Sequence, residues 1–259
     1  MSQGQVSRTD LPGKVLVVSG TGTGVGKTVV TAAIAALAAA RGEDVAVLKP
    51  AQTGVPREDG GTALGDVRPG EESDTPDIEV VIRLSGVTDT HELTRYPDPL
   101  SPEAAARMSG LPPLDMDAAA DYAAKLAADR DLVLVEGAGG LLVRYDPGGA
   151  TIAELATRLN APVLTVAGAG LGTLNHTALT LEALRARDIV SAGVVIGSWP
   201  RDPGLAERAN LADLEVIAGG PLAGVLPEGA GQLPRAAFES VAREGLSARL
   251  GGRRAAGQP

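Results

Sequence analysis

The sequence predicts an α/β protein: a single doubly wound domain, a mostly parallel sheet with helices on both faces. Three observations predict it. Short runs of Val, Leu and Ile recur, apolar enough to be buried on both faces, as strands of a parallel sheet are. They alternate with longer Ala- and Leu-rich segments of helical spacing, the pattern of repeated strand–helix units. Several of the apolar runs end in Gly-rich loops, on the edge where open parallel sheets bind ligands. The length of 259 residues suits one such domain, and hydrophobic residues at 44% with aromatics at only 2% make a core of Val, Leu, Ile and Ala.

In order, Val15 to Val18 is the first strand, and the Ala-rich run from Thr28 to Arg41 is a helix closed by Gly42. Val45 to Leu48 is a second strand that delivers Lys49 at its end, where Pro50 stops it. Residues 55–76 are rich in Gly, Pro and acid without periodicity and read as an exposed insertion. Helical spacing returns over Asp77 to Leu84. Ser101 is placed to cap a helix starting at Pro102, and Asp115 to Ala128 is amphipathic. Further strands follow at Leu132 to Val135, Val163 to Ala167, Ile189 to Ile196 and Leu222 to Leu226, six in all. Between and after them lie helices over Thr151 to Leu159, Asn175 to Arg187, Leu205 to Ile217 and Ala236 to Leu250. Residues 1–13 and 251–259 read as flexible tails, which leaves 14–250 as the domain.

The stretch around which the chain is organised is Val15 to Thr28, VLVVSGTGTGVGKT. Strand, Gly-rich loop and helix are the context of a phosphate-binding loop. Gly20, Gly22, Gly24 and Gly26 let the backbone approach an anion closely, and the helix start adds its positive end. Lys27 reaches β- and γ-phosphates in such loops, and the hydroxyl of the following residue, here Thr28, sits on Mg²⁺. The common spacing would put the first glycine at position 21, where this chain has Thr21, so the loop is one residue longer. Two more strand ends carry charge: Lys49, followed by Gln52, Thr53 and Gly54, and Glu136, followed by Gly137, Ala138, Gly139 and Gly140. The second is a metal and phosphate site by its chemistry. His176, at a helix start, reads as a polar contact rather than a base.

Composition narrows the partners. The net charge is −9 and no basic block outweighs it, which argues against nucleic acid. No apolar run reaches about 18 residues, which argues against a membrane span. With no cysteine there is no disulfide and no thiolate-bound zinc, in keeping with a cytoplasmic enzyme.

Taken together, GTGTGVGKT, VLKPAQTG, VEGAGGLLV and LGTLNHTALT, in this order and at these separations, resemble the dethiobiotin synthetase family of P-loop NTPases. The resemblance runs from about Val15 to Gly229, and the longer loop is that family's own pattern. It implies a ligase of biotin biosynthesis that carboxylates 7,8-diaminopelargonic acid with CO₂ and closes a ureido ring at the expense of ATP, with Mg²⁺ as cofactor. Carried over residue by residue, Gly24, Val25, Gly26, Lys27, Thr28 and Val29 bind the phosphates. Glu136, Gly137, Ala138 and Gly139 lie along them. Thr28, Asp77 and Glu136 match metal ligands, with Asp74 the rival to Asp77. Lys49 and Lys27 are catalytic, and Thr53 contacts the substrate. Leu171, Leu174 and Asn175 match a segment that reaches the substrate held by the other subunit, which implies a homodimer. Gly197, Ser198, Pro227, Glu228 and Gly229 match the base-binding loops. Many relatives carry an Asn-Asp pair where this chain has Gly197 and Ser198, so an amide that pairs with adenine is missing and other nucleotides become candidates. Two alternatives stand beside this reading. A partition-type switch ATPase carries an additional early lysine in its loop, absent here. A non-catalytic nucleotide-binding domain would have no use for Lys49, Thr53 and Asn175 together.

Overall fold

In a computed structural model of the chain, the described residues are 13–56, 75–255 and 257. Residues 1–12 of the expected N-terminal tail and 57–74 of the expected insertion, with Asp74, lie outside them. The elements run β1 (Val15–Gly20), α1 (Lys27–Ala40), β2 (Val45–Thr53), α2 (Asp77–Ser85), β3 (Thr90–Tyr96), α3 (Pro102–Ser109), α4 (Met116–Asp129) and β4 (Leu132–Gly140). They continue with α5 (Ile152–Arg158), β5 (Val163–Ala167), α6 (Thr173–Arg185), β6 (Ser191–Trp199), α7 (Leu205–Ala218), β7 (Gly224–Pro227) and α8 (Arg235–Gly245). The strands form one sheet in the order β3-β2-β4-β1-β5-β6-β7, and every pairing is parallel.

Alternate residues of the central strands feed two cores. On one face Leu16 and Val18 of β1 and Leu132 and Leu134 of β4 pack with α1, α2 and α8. On the other, Val17, Val133 and Val135 meet α4, α5 and the buried stripes of α6 and α7. Helix α1 is buried almost throughout because its alanines let it lie close between the sheet and its flanking helices. Two later helices are capped by their own sequence. Asp115 accepts from the backbone N–H of Ala118, and Thr151 and Glu154 form a reciprocal capping box. Ser101 stands at the N-cap of α3 without making the side-chain bond, and Pro102 alone presets the first turn.

The sheet corrects the sequence reading in four places. Among the described residues there are seven strands rather than six: β3 is an edge strand with half-buried residues and no apolar run to announce it. Pro50 does not stop β2. The ladder to β4 ends at Leu48 while that to β3 continues to Thr53, so the donor that proline lacks falls where the strand has one neighbour. Likewise β4 runs through Glu136 to Gly140, with a register shift against β1 between Val18 and Gly20. Finally, α8 ends at Gly245, and the chain beyond Gly251 is tied down rather than loose as far as Arg254. Arg254 donates its backbone N–H to the Leu246 carbonyl at 2.9 Å, just past the helix end, and its guanidinium to the Leu222 carbonyl at 3.3 Å.

Candidate active site

The phosphate-binding loop joins β1 to α1 and is held by glycine geometry. Gly26, the N-cap of α1, has φ of 93°, a left-handed conformation that disfavours side chains. A Cβ on Gly20 would lie 2.8 Å from the Val25 side chain, so the turn closes over a residue that has none. Lys27 folds back over this loop and donates to the Gly22 carbonyl at 2.9 Å. Burial, with help from nearby Lys49, brings its ammonium pKa down to about 8, although Glu136 and Asp77 pull the other way.

Thr28, one residue further along α1, meets two carboxylates. Its Oγ1 is 2.9 Å from Asp77 Oδ1 and 2.9 Å from Glu136 Oε1. A hydroxyl has one proton and cannot donate to both. Three hard oxygen donors thus converge beside a phosphate-binding loop, and this set fits Mg²⁺, which takes few protein ligands and keeps the rest for water and phosphate. Asp77 reaches the cluster as the first residue of α2, and Glu136 from within β4.

Lys49 completes the cluster. Only 3% exposed, it places Nζ 2.5 Å from Asp77 Oδ2, 2.9 Å from Glu136 Oε1 and 3.2 Å from the Gly137 carbonyl. Burial opposes its charge, but the two carboxylates prevail and hold its pKa above the ordinary lysine range. The carboxylates diverge. Both are penalised by burial; Lys49 nevertheless keeps Asp77 below the usual range, while the fully buried Glu136, beside Asp77, is pushed up.

Lys27, Thr28, Lys49 and Asp77 open onto a cavity of about 950 Å³, with Glu136 buried behind them. Gly24, Gly26, Lys27, Thr28 and Val29 line one wall, and Lys49, Thr53, Asp77, Ala138 and Gly139 another. The other expected residues lie elsewhere. Val25 packs under Gly20, and Gly137 contributes its carbonyl to Lys49. Gly197 is buried against the loop: a Cβ there would lie 2.1 Å from the Val25 carbonyl oxygen. Ser198, Pro227, Glu228 and Gly229 are exposed, but Gly197 and Ser198 belong to the end of β6 and Pro227 to the end of β7 rather than to loops, and the two strand ends are joined by the Glu228 N–H donating to the Trp199 carbonyl at 2.7 Å. On this side Gly231 and Gln232 form the cavity wall instead, steadied by Arg83, which donates to the Gly231 carbonyl at 2.6 Å. Leu171, Leu174 and Asn175 stand away from the cavity at the start of α6; Leu171 is 94% exposed. His176 is exposed on the same turn.

Sequence reasoning missed two supporting residues. Tyr145, fully buried, accepts the Ala138 backbone N–H at 2.6 Å and so fixes the Gly-rich end of β4. Gln52, also buried, accepts the backbone N–H of Asp77 at 3.0 Å. A lone Tyr or Gln gives no sequence signal of such a contact.

Residues 14–231 match a family model described as an AAA domain. The ATP-dependent dethiobiotin synthetase BioD of Frankia casuarinae is 61% identical over 92% of this chain and 93% of its own length. That of Parafrankia is 57% identical over 92% and 94%. This chain belongs to the dethiobiotin synthetase family. Among solved structures, the septum site-determining protein MinD of Pyrococcus horikoshii, complexed with Mg-ADP, aligns with a TM-score of 0.56 over 93% of this chain and 95% of its own, at 17% identity. The cell division ATPase MinD of Pyrococcus furiosus aligns at 0.54, over 93% and 97%, with 19% identity. At those identities the likeness is one of fold. Within the family, the converged Thr28, Asp77 and Glu136 and the buried Lys49 are the feature of this chain that bears on chemistry.

Proposed function

We propose that this chain is an ATP-dependent dethiobiotin synthetase acting on 7,8-diaminopelargonic acid and CO₂, as a cytoplasmic homodimer. The observation that carries the reading is the Lys49, Asp77, Glu136 and Thr28 cluster at the floor of a cavity that also holds the phosphate-binding loop. A cation for phosphate, two carboxylates and a hydroxyl form a phosphoryl-transfer set, and none of them is needed as a nucleophile.

In this reading one amine of the diamine takes up CO₂ as a carbamate, whose oxygen attacks the γ-phosphate and displaces ADP. The second amine then attacks the carbonyl carbon of the carbamic–phosphoric anhydride, the ureido ring closes, and phosphate leaves. The backbone N–H groups around Gly24 and Gly26 bind the phosphate oxygens, and Lys27 leaves the Gly22 carbonyl to follow the charge. Thr28, Asp77 and Glu136 would hold Mg²⁺, which supplies charge neutralisation at the phosphates. Lys49 balances the charge that develops on the transferred group, where a preorganised cation in a dry site is most effective. Thr53, on the same strand, faces the cavity as a hydroxyl for the diamine. No helix among the described residues is long and apolar enough to cross a membrane.

The test is release of phosphate from ATP by the purified protein, with and without the diamine and bicarbonate. Release that requires both, with formation of dethiobiotin, is expected. Release indifferent to the diamine would favour the switch-ATPase reading instead.

A further inference from the structure

Helix α2 brings Asp77 to the cluster, yet no side chain of its own caps its start. Its N-cap is Pro76, which makes no side-chain cap bond. The Glu79 and Val80 N–H groups turn back to the Pro76 carbonyl, which leaves the N–H of Asp77 among the donors that every helix start must satisfy from outside. Gln52 satisfies it. Twenty-five positions earlier in the chain, its Oε1 accepts the Asp77 N–H at 3.0 Å. Its Nε2 is spent on the Thr53 carbonyl at 3.1 Å, which holds the amide in that orientation. Gln52 is only 6% exposed, lines the cavity and lies three residues after Lys49 on β2. One strand therefore supplies both the cation that faces the Asp77 carboxylate and the acceptor that anchors its backbone.

We infer that Gln52 is a positioning residue for this site. It sets the place of Asp77, and through it the capacity of the Thr28, Asp77 and Glu136 oxygens to hold Mg²⁺ with a nucleotide. The inference rests on the phosphoryl-transfer reading only for that cluster; which substrate is carboxylated does not enter. Side chains that orient a metal ligand typically change metal affinity by about tenfold or more when removed.

The test is calorimetric binding of ADP to the full chain at increasing Mg²⁺, with Gln52→Met, which keeps length and loses the acceptor. The Mg²⁺ concentration for half-maximal enhancement of ADP binding should rise about tenfold, while ADP binding without metal stays within about twofold, because the phosphate-binding loop is untouched. In turnover, kcat should fall with the KM for the diamine nearly unchanged. In an Asp77→Asn background, Gln52→Met should add less than about twofold, since the two act through one contact. If Gln52→Met does not fold, Gln52→Asn, one methylene too short, should raise the Mg²⁺ requirement in the same direction. A lowered Tm with an unchanged Mg²⁺ requirement would overturn the inference, as would a full effect in the Asp77→Asn background. Failure of diamine-dependent turnover in every variant and in the parent would reject the proposed reaction and leave the ADP measurement standing.

Discussion

Lys49 has two roles that pull on one measurement. As the cation facing the transferred group, its loss in Lys49→Ala should lower turnover by about 10²-fold or more, read as phosphate release. As a buried partner of Asp77 and Glu136, its loss also leaves carboxylates without their cation. Removing one member of a buried pair costs about 3 kcal/mol or more, so urea unfolding should show the variant destabilised by that order at pH 7. A variant as stable as the parent would mean that water or relaxation compensates the pair. Gly197 poses the opposite case, a residue kept small. With a Cβ only 2.1 Å from the Val25 carbonyl oxygen, a side chain cannot be accommodated here without moving the phosphate-binding loop. If this position meets the base, as the family resemblance implies, no side-chain amide reads it from here, and CTP, GTP and UTP should support turnover with kcat/KM within about a hundredfold of ATP, roughly 2.7 kcal/mol. Initial rates with the four nucleotides at equal Mg²⁺ decide it. Rejection by more than about a thousandfold would place base readout on other groups, with the Gln232 amide at the cavity wall the first to test.

At the scale of elements, edge strand β3 is held by polar contacts that its sequence does not advertise. Arg130, after α4, donates to Asp89 at 2.6 Å, just before β3. His91 on β3 shares that carboxylate at 2.8 Å and meets the hydroxyl of Tyr122 on α4 at 2.9 Å. Partial burial pushes the Asp89 pKa up, but Arg130 and His91 outweigh it and keep it below the usual carboxylate range. A native pKa below the unfolded value of about 3.9 stabilises fully above that value and is lost as pH falls through the native pKa. Asp89→Asn should therefore be less stable than the parent at pH 7, and the deficit should narrow in urea unfolding near pH 3. An equal deficit at both pH values would show that the side chain matters by shape rather than charge.

For the whole molecule, the start of α6 matters most. Leu171 and Asn175 are exposed, Leu179 one turn later is 55% exposed, and all stand apart from the cavity. If Asn175 serves the site of a second copy, Asn175→Ala and Lys49→Ala proteins should each be weak alone. Mixed under conditions where subunits exchange, they should regain part of the activity, since one site of each heterodimer has both residues intact. No recovery after demonstrated exchange would leave the substrate site within a single chain.

The alternation of buried apolar runs with helices determined the α/β class, because a strand covered on both faces has to be apolar throughout. The glycines and Lys27–Thr28 determined the phosphate-binding loop, because backbone conformation and anion chemistry there are written in consecutive residues. Lys49 and Glu136 were legible as charges interrupting apolar strands. What they touch was not: the 2.5 Å contact of Lys49 with Asp77 and the shared oxygen of Thr28 join segments far apart in the chain. The sequence placed Lys49 at a strand end, whereas β2 continues past it and packing buries it almost completely. β3 escaped because an edge strand need bury only part of each residue, and the length of β2 because proline is tolerated where one neighbour has already gone. Gln52, Tyr145 and the close approach of Gly197 to Val25 depend on distances between non-adjacent backbones, and only the folded arrangement sets those.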